Sequence, residues 1–419
     1  MRAPWRRTSG FGPTARLLMA NQFAINLAFY MLMPYLAAHL SDDLGMAAWT
    51  VGLVLGVRNL SQQGMFLLGG TLADRCGYRA PILAGCLLRT AGFALLGLAD
   101  SLPALLAASA ATGLAGALFN PAVRAYLAAE AGEERRVDAF AAFNVHYQAG
   151  MLLGPLVGLA LLAVDFTAVC TVAAAVFGAL TLLQWRALPD RRARPAGQRE
   201  SVLAQWRTVL ANRPFLLFSA AMTGSYVLTF QVYLALPLAA GHALGADGPA
   251  ATGALFTVSA AVAVLGQLRL TAWAKRLRTP SRALVAGLAA MGAAFLPPAL
   301  LPPSDRAPQL LALVLAVAVL AAAGAVVHPF EMDTVVTLAR NRLVATHYGL
   351  YNTVSGLGIT LGNLAVGALW DFGTRHHAPY LPWLTLTTTG LACATAVHRL
   401  TRTPRHHPTP PTPAPAPTG

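Results

Sequence analysis

The feature that most constrains this chain is the recurrence of apolar runs along almost its whole length. Many of these runs reach the roughly 20 residues that an α-helix needs to cross about 30 Å of hydrocarbon. They are rich in Leu, Ala and Val and lack the apolar/polar alternation of barrel strands. Because backbone polar groups in lipid must bond to one another, the runs are predicted to be membrane-spanning helices.

The composition excludes an ordinary water-soluble domain. Of the 419 residues, 56% are hydrophobic and 11% are charged, whereas soluble domains average about 25% charged residues. A net charge of +14 would suit nucleic-acid binding, but the charges lie between the apolar runs, where they are better explained by orientation of the chain. The four cysteines form neither a disulfide framework nor a metal-ligand spacing. We therefore expect no cofactor, no metal and no nucleic-acid partner.

We predict twelve spans, six on each side of a polar linker. The first six cover roughly 15–40, 48–73, 80–99, 103–129, 137–163 and 166–187. The second six cover roughly 214–241, 250–274, 281–301, 308–338, 343–371 and 381–400. The predicted domains are an N-terminal six-helix bundle at 1–188, a cytoplasmic linker at 189–213, a C-terminal six-helix bundle at 214–402 and a disordered Pro-rich cytoplasmic tail at 403–419.

The charges in the loops predict the orientation of the chain. Loops on one side of the predicted spans hold most of the basic residues, among them Arg75, Arg79, Arg135, Arg136, Lys275, Arg340 and Arg342. Loops on the other side hold Asp42, Asp43, Asp100, Asp165 and Asp247. By the positive-inside rule, we expect a multi-pass protein of the inner (plasma) membrane with both termini in the cytoplasm.

An internal repeat relates the two halves. The first half contains Asn120-Pro121, then Phe143-Asn144, then Gly150-x-x-x-Gly154. The second half contains His328-Pro329, then Tyr351-Asn352, then Gly358-x-x-x-Gly362. All three pairs keep one offset of about 208 residues. Parallel six-span repeats are typical of one class of transporter, with a substrate site between the halves.

Two motifs carry a resemblance to a known family. The loop after the second span reads Gly70-Thr71-Leu72-Ala73-Asp74-Arg75-Cys76-Gly77-Tyr78-Arg79, and the fifth span reads Gly150-Met151-Leu152-Leu153-Gly154-Pro155-Leu156-Val157-Gly158. The first resembles motif A of the major facilitator superfamily, and the second resembles motif C of its drug–proton antiporters. With the stretch from Val51 to Gly64 and the stretch from Leu88 to Phe93, the chain is similar to MdtH-type multidrug efflux transporters.

The resemblance implies an all-α major facilitator fold with twelve spans in two six-helix bundles. It also implies secondary active export of small hydrophobic or amphiphilic compounds by alternating access, with protons as the coupling ion and a monomeric protein in the bilayer. Uptake or export of a specific metabolite by the same fold is the alternative. Two departures concern coupling: motif B would place an Arg at Ser109, and many relatives have a carboxylate where this chain has Asn21.

Motif A supplies the candidate gating residues, Gly70, Asp74, Arg75, Gly77 and Arg79, with Arg124 on the fourth span. The resemblance implies that Asp74 acts as a cytoplasmic latch. Its partner is expected to be either Arg124 or the start of the eleventh span, where a helix N-terminus would attract a carboxylate. Motif C supplies Gly150, Gly154, Pro155 and Gly158, whose glycines line one helix face for close packing.

Charged residues inside spans are expensive in lipid and are therefore candidate functional residues. Glu331 and Asp333 lie in the tenth span, and His328 is three residues before Glu331. A carboxyl group buried in apolar surroundings takes up a proton more readily than one in water. We interpret these three residues as proton-coupling candidates, with a structural ion pair to Arg124 or Arg340 as the alternative.

The remaining candidates would line a substrate cavity. They are polar or aromatic residues inside spans, namely Asn21, Tyr30, Arg58, Gln62, Arg89, Asn144, Tyr147, Gln148, Tyr226 and Gln231. Arg58 and Arg89 lie deep in their spans, so each needs a polar partner or a wet cavity. Any single residue of this kind is more often a helix-packing group than a ligand contact, so the prediction concerns the set rather than one member.

Other classes of function lack their signatures. An intramembrane enzyme would need a catalytic set such as a His-rich diiron box, a Ser/Lys dyad or paired midplane Asp residues, and none is visible. The chain also has no Gly-x-x-x-x-Gly-Lys-Ser/Thr loop for nucleotide phosphates, which disfavours an ATP-driven pump.

Overall fold

The computed structural model describes residues 10–190, 201–244, 248–277, 279–301 and 306–402, and these residues form α-helices without any strand. In the first half the helices are α1 (Pro13–Ala38), α2 (Ala48–Cys76), α3 (Arg79–Leu98), α4 (Leu102–Leu162) and α5 (Phe166–Ala187). They are followed by α6 (Val202–Leu210), α7 (Arg213–Phe230), α8 (Ala235–Leu244), α9 (Gly248–Ala274) and α10 (Pro280–Ala293). The last four are α11 (Leu296–Leu300), α12 (Arg306–Leu338), α13 (Val344–Arg375) and α14 (Leu381–Arg402).

These helices make twelve membrane passages in two six-helix bundles. By length and composition alone, nine helical segments of the described residues qualify as spans. The 61-residue α4 contains two passages, and α2 and α14 complete the set. Helices α7 and α8 together form the seventh passage, with a short 3₁₀ turn at Gln231–Tyr233 between them, and α10 with α11 forms the ninth.

The junction between the fourth and fifth passages is tighter than the sequence suggests. We predicted a loop between 129 and 137, but helical structure continues on both sides of Gly132. This residue has φ 68° and ψ 170°, a conformation that only glycine adopts without strain. One left-handed glycine therefore replaces the predicted loop and reverses the chain.

Local sequence explains where several helices begin. The side chains of Asp165, Ser201, Asn212 and Thr279 accept hydrogen bonds from the first turns of α5, α6, α7 and α10. Short polar side chains at this position satisfy backbone N–H groups that have no partner inside the helix. The polar junctions between apolar runs therefore fix the helix boundaries.

Equivalent glycine faces pack the first passage of each half against the fifth. A β-carbon on Gly150, Gly154 or Gly158 would collide with α1. In the second half, a β-carbon on Gly358 or Gly362 would collide with Thr223 or Val227 of α7. The offset seen in the sequence therefore corresponds to the same close helix pair in both bundles.

Part of the predicted polar linker is helical. Helix α6 packs through Trp206, whose Nε1 donates to Thr71 Oγ of α2 at 2.9 Å. At the end of the linker, the Asn212 side-chain amide donates to the Leu338 carbonyl oxygen at 2.9 Å. The connector thus contacts both halves. The part of the predicted linker with Arg191, Arg192, Arg194 and Arg199 and the predicted disordered tail at 403–419 lie outside the described residues.

The turn between α12 and α13 has an unusual backbone. Arg340, Asn341 and Leu343 have φ angles of 52°, 54° and 51°. Such left-handed conformations are uncommon outside glycine, although asparagine tolerates them best. This turn places the N-terminus of α13 against the first half.

Candidate functional site

The halves meet at the end of the bundle that carries the basic loops. This arginine-rich end comprises the start of α1, the end of α2, the Gly132 junction, the end of α9 and the α12–α13 turn. Contacts show that these segments lie together, since Arg135 donates to the Gly10 carbonyl oxygen and Lys275 reaches Asp138. Helix α2 packs along α13, while α4 packs on α9 and α12.

Asp74 of motif A caps the eleventh passage. Its Oδ2 accepts hydrogen bonds from the backbone N–H and the hydroxyl of Thr346, both at 2.7 Å, and Oδ1 accepts from Ala345 N at 3.2 Å. The carboxylate is 7% exposed and lies at the positive end of the helix dipole. Of the two partners expected for Asp74, the structure therefore supports the start of the eleventh span.

The other motif A residues shape this contact. A β-carbon on Gly70 would collide with the Ala345 carbonyl, and one on Gly349 would collide with the Phe66 carbonyl. Gly77 ends α2 with φ 89°. Arg79 donates to the Trp185 carbonyl oxygen within the first half, and Arg75 is half-buried. Only glycines at these positions allow α2 and α13 to approach this closely.

An ion pair that the sequence did not predict crosses the interface beside this cap. Arg136 Nε donates to Asp333 Oδ1 at 2.7 Å, and its Nη1 donates to Asn341 Oδ1 at 3.1 Å. Arg136 is 3% exposed. We offered Asp333 as a proton carrier or as the partner of Arg124 or Arg340, but its described ion pair is with Arg136. The sequence showed Arg136 only as one of several loop arginines.

Two further contacts join the halves at increasing depth. Lys275 Nζ lies 2.9 and 2.8 Å from the two carboxylate oxygens of Asp138, near the surface. Farther in, Asn144 Nδ2 donates to Gln267 Oε1 at 2.6 Å. Asn144, predicted as a cavity residue, therefore contributes to the closed interface between α4 and α9.

Arg124 also crosses the interface. Its Nη1 donates to Asn352 Oδ1 at 2.8 Å, on α13. Asn352 occupies the position in the repeat that matches Asn144. Each half thus contributes one repeat-related asparagine to a contact with the other half.

In the second half, a buried acid lies about two helical turns inside the arginine-rich end of α12. Glu331 is 0% exposed, and its Oε1 accepts a hydrogen bond from the Tyr351 hydroxyl. Its Oε2 lies 3.2 Å from His328 Nδ1, as their spacing on one helix face predicted. The rings of Tyr226 and His328 are 6.0 Å apart. Among the described ion pairs, Glu331 pairs with this histidine and with no arginine.

In the first half, the middle of the bundle holds two cations. The guanidinium carbons of Arg58 and Arg89 lie 5.4 and 5.0 Å from the centre of the Phe29 ring. Arg89 also lies 5.4 Å from the Phe177 ring centre and is 6% exposed. Arg58 donates to Asn59 Oδ1. The Nε atoms of both arginines are buried without a hydrogen-bond partner among the described residues.

Tyrosine side chains make contacts within the first half and between the halves. The hydroxyl groups of Tyr30 on α1 and Tyr147 on α4 are 3.2 Å apart. Tyr233 of the second half donates to Met151 Sδ on α4 at 3.5 Å. The structure therefore places Tyr30 and Tyr147 of the predicted cavity set next to one another, about one helical turn from a contact with the second half.

Three predicted cavity residues lie apart from these contacts. Asn21 is 2% exposed and Gln231 is 0% exposed, and Gln231 bonds inside the second half to Val227 O and Asn363 Oδ1. These two residues are packing groups in this conformation rather than cavity surface. Gln148 is half-buried beside Tyr147 in the sequence. Sequence reasoning missed Tyr351, although the repeat contained it.

Comparisons with known proteins agree with this architecture. Residues 18–416 match the family model described as Major Facilitator Superfamily. An uncharacterized MFS-type transporter of Mycobacterium tuberculosis is 54% identical over 394 residues, covering 93% of this chain and 94% of the relative. Multidrug resistance protein MdtH of Sodalis glossinidius is 31% identical over 384 residues, covering 91% and 92%.

Solved structures share the fold at lower identity. The fucose:proton symporter FucP of E. coli matches with a TM-score of 0.72 at 14% identity, covering 93% of this chain and 98% of that chain. The human organic anion transporter MFSD10 matches with a TM-score of 0.63 at 17% identity, covering 94% and 100%.

The all-helical architecture and the family match together define a multi-pass membrane transporter. The chain belongs to the major facilitator superfamily, with MdtH multidrug transporters among its homologues.

Proposed function

We propose that the protein exports small hydrophobic or amphiphilic compounds by proton-coupled antiport with alternating access. The observation that carries this proposal is Glu331, a fully buried carboxyl group held by Tyr351 and His328. Buried acids inside membrane bundles are rare and mark proton or ion pathways. In our proposal Glu331 carries the coupling proton, since its described partners are a tyrosine and a histidine rather than an arginine.

The contacts between the halves suit one facing state of such a cycle. The Asp74 cap, the Arg136–Asp333 pair and the Lys275–Asp138 pair all close the arginine-rich end. In our proposal this end is cytoplasmic, both termini lie there, and the protein resides in the plasma membrane. The conformation is then closed to the cytoplasm, and rocking of the halves would exchange the open side.

The homologues support the direction of transport. MdtH proteins are named for multidrug resistance, and their similarity extends over about nine-tenths of the chain. The glycines of the fifth passage pack α4 against α1, and their Gly-x-x-x-Gly-Pro pattern resembles motif C of the drug–proton antiporters. The domain boundaries at 188, 213 and 402 remain a prediction, as does the monomeric state.

The test begins with a drug-susceptibility panel on pump-deficient cells that express the full chain, with and without an uncoupler. The compound with the largest effect is then added to energised everted vesicles, where antiport releases protons and restores the fluorescence of a ΔpH dye. Wild type should show uncoupler-sensitive resistance and dye recovery, while Glu331→Gln should lose both. Glu134→Gln, on the exposed surface of α4, is the matched control.

Resistance that survives the uncoupler would refute proton coupling. Retention of proton-dependent export by both Glu331→Gln and Asp333→Asn would remove these acids from the coupling mechanism. Accumulation of compounds in expressing cells would instead favour uptake of a metabolite.

A further inference from the structure

The two buried arginines of the first half have no counter-charge in their surroundings. The sequence from 44 to 73, from 75 to 99, from 101 to 129 and from 139 to 164 contains no Asp or Glu. Neither Arg58 nor Arg89 takes part in an ion pair with a described carboxylate. Arginine is strongly disfavoured at the centre of a membrane helix, so an uncompensated pair needs a reason.

Aromatic stacking accounts for only part of their environment. The guanidinium carbons lie 5.0–5.4 Å from the ring centres of Phe29 and Phe177, but a phenylalanine ring has no acceptor atom for a guanidinium N–H group. Both Nε atoms are buried without a hydrogen-bond partner among the described residues. A guanidinium group beside an aromatic ring, with a buried N–H donor still unpaired, suits a planar, anionic acceptor such as a carboxylate.

The side chains around the arginines are closely packed against the fourth passage. A β-carbon on Gly116 would lie 3.0 Å from Gln62 Cδ and 3.2 Å from Arg89 Nη2, so both side chains lie against this glycine. Arg58 and Gln62 are half-buried, as are Tyr30 and Tyr147. The buried cation thus stands behind a layer of polar and aromatic groups that faces the second half.

We propose that Arg58 and Arg89, with Gln62 beside them, form the subsite that recognises an anionic group on the transported compound. The substrate class is then an aromatic or otherwise apolar body that bears a carboxylate or a similar anion, and its ring packs against Phe29 and the Tyr30–Tyr147 pair. The subsite rests on the proposed function only for the direction of transport, because anion binding is measurable without transport.

The test uses three probes with one aromatic body and different charge, 2-naphthoate, 2-naphthamide and 2-(aminomethyl)naphthalene. Equilibrium dialysis with the purified full chain in detergent gives the affinity for each probe. Wild type should prefer the naphthoate to the naphthamide by about tenfold or more, since hydrogen bonds to charged groups contribute that much. Arg58→Gln and Arg89→Gln should each remove most of this preference, and the aminomethyl probe should bind least.

Two further variants keep the result interpretable. Arg135→Gln is the matched control, because Arg135 also stacks on a phenylalanine, Phe11 at 4.2 Å, but at the arginine-rich end. If Arg89→Gln fails to fold, Arg89→Lys is used instead because it preserves the charge. It should retain part of the preference for naphthoate over naphthamide. Equal binding of naphthoate and naphthamide, absence of naphthoate binding, or unchanged preference in both Gln variants would overturn the proposal. Charge-selective binding without proton-linked export would contradict the proposed function while leaving the anion subsite standing.

Discussion

Charges at the arginine-rich end differ from charges deeper in the bundle in whether they have a partner in the opposite half. At the arginine-rich end, Asp74, Arg136 and Lys275 each have a described partner in the opposite half. Deeper in the bundle, Arg58 and Arg89 lie in the first half and Glu331 in the second, and no described ion pair joins them across the interface. We expect the paired charges to stabilise one conformation, and our proposals assign the deeper charges to a ligand and a proton.

The comparison can be tested with one distance measurement. Spin labels on Ala80→Cys and Arg282→Cys, both exposed at the arginine-rich end, would lie on α3 and α10 of opposite halves. With the four native cysteines replaced by alanine, the label separation reports opening of this end. We expect each substitution below to reduce the population of the closed arrangement. The reduction should be larger where the native residue is more buried and more closely packed against the other half.

The largest effect is expected from Gly70→Val. The new side chain cannot coexist with the Ala345 carbonyl in the closed arrangement, so we expect a cost of about 3 kcal/mol. The label distance should shift almost wholly to the longer population. Gly64→Val on the same helix, where a β-carbon meets nothing within 4 Å, is the control and should leave the distance unchanged. Equal behaviour of the two variants would show that α2 and α13 are not packed this closely.

A smaller effect is expected from Arg136→Ala. It removes charge-assisted hydrogen bonds to Asp333 and Asn341, with an expected cost of about 2 kcal/mol to the closed arrangement. A double-mutant cycle with Asp333→Ala should give a clear coupling energy from the label populations. Additive single variants would mean that the pair does not stabilise closure.

Asp74→Ala should cost the closed arrangement about 1 kcal/mol, the usual contribution of a helix cap. The long-distance population should increase several-fold while the protein remains folded, as judged by size-exclusion chromatography. Asp74→Asn, which keeps an acceptor oxygen but loses the charge, should fall between alanine and wild type. A closed population unaffected by either change would refute the latch role.

The smallest effect is expected from Lys275→Ala. Its pair with Asp138 is substantially exposed, with side-chain exposures of 39% and 47%, so we expect less than about 0.5 kcal/mol. Raising the salt concentration should weaken even that contribution in wild type. If Lys275→Ala shifts the label-distance population as much as Arg136→Ala does, then burial does not determine how strongly these contacts stabilise the closed arrangement.

The sequence was sufficient for features that repeat or that depend on local chemistry. The apolar runs predicted the twelve membrane passages. The spacing of Gly150, Gly154 and Gly158 predicted the packing face, and the three-residue spacing of His328 and Glu331 predicted their contact. The sequence was insufficient where the partner is remote. Nothing near Arg136 indicates Asp333, which is 197 residues away, and two partners for Asp74 were equally compatible with the motif.

The linker and the fourth loop were missed for a different reason. Helix α6 has only nine residues and lies next to the arginine-rich part of the linker, so its Ser201 cap and the docking of Trp206 were not predicted. At Gly132, the polar run from Glu130 to Arg136 suggested a loop, but one left-handed glycine suffices to turn the chain. Hydropathy locates spans well and describes the segments between them poorly, because those segments are fixed by individual contacts.

The left-handed turn between α12 and α13 is a point of backbone strain at the closed end. Backbone strain of this kind costs about 1–3 kcal/mol per residue and persists only where surrounding contacts enforce it. Here the enforcing contacts are Arg136 on Asn341 and Asp74 on the first turn of α13, both supplied by the first half. If Arg340 and Leu343 relax when the halves separate, the strain of the turn offsets part of the free energy needed to break the interface. The barrier to switching would then be lowered without loosening either bundle.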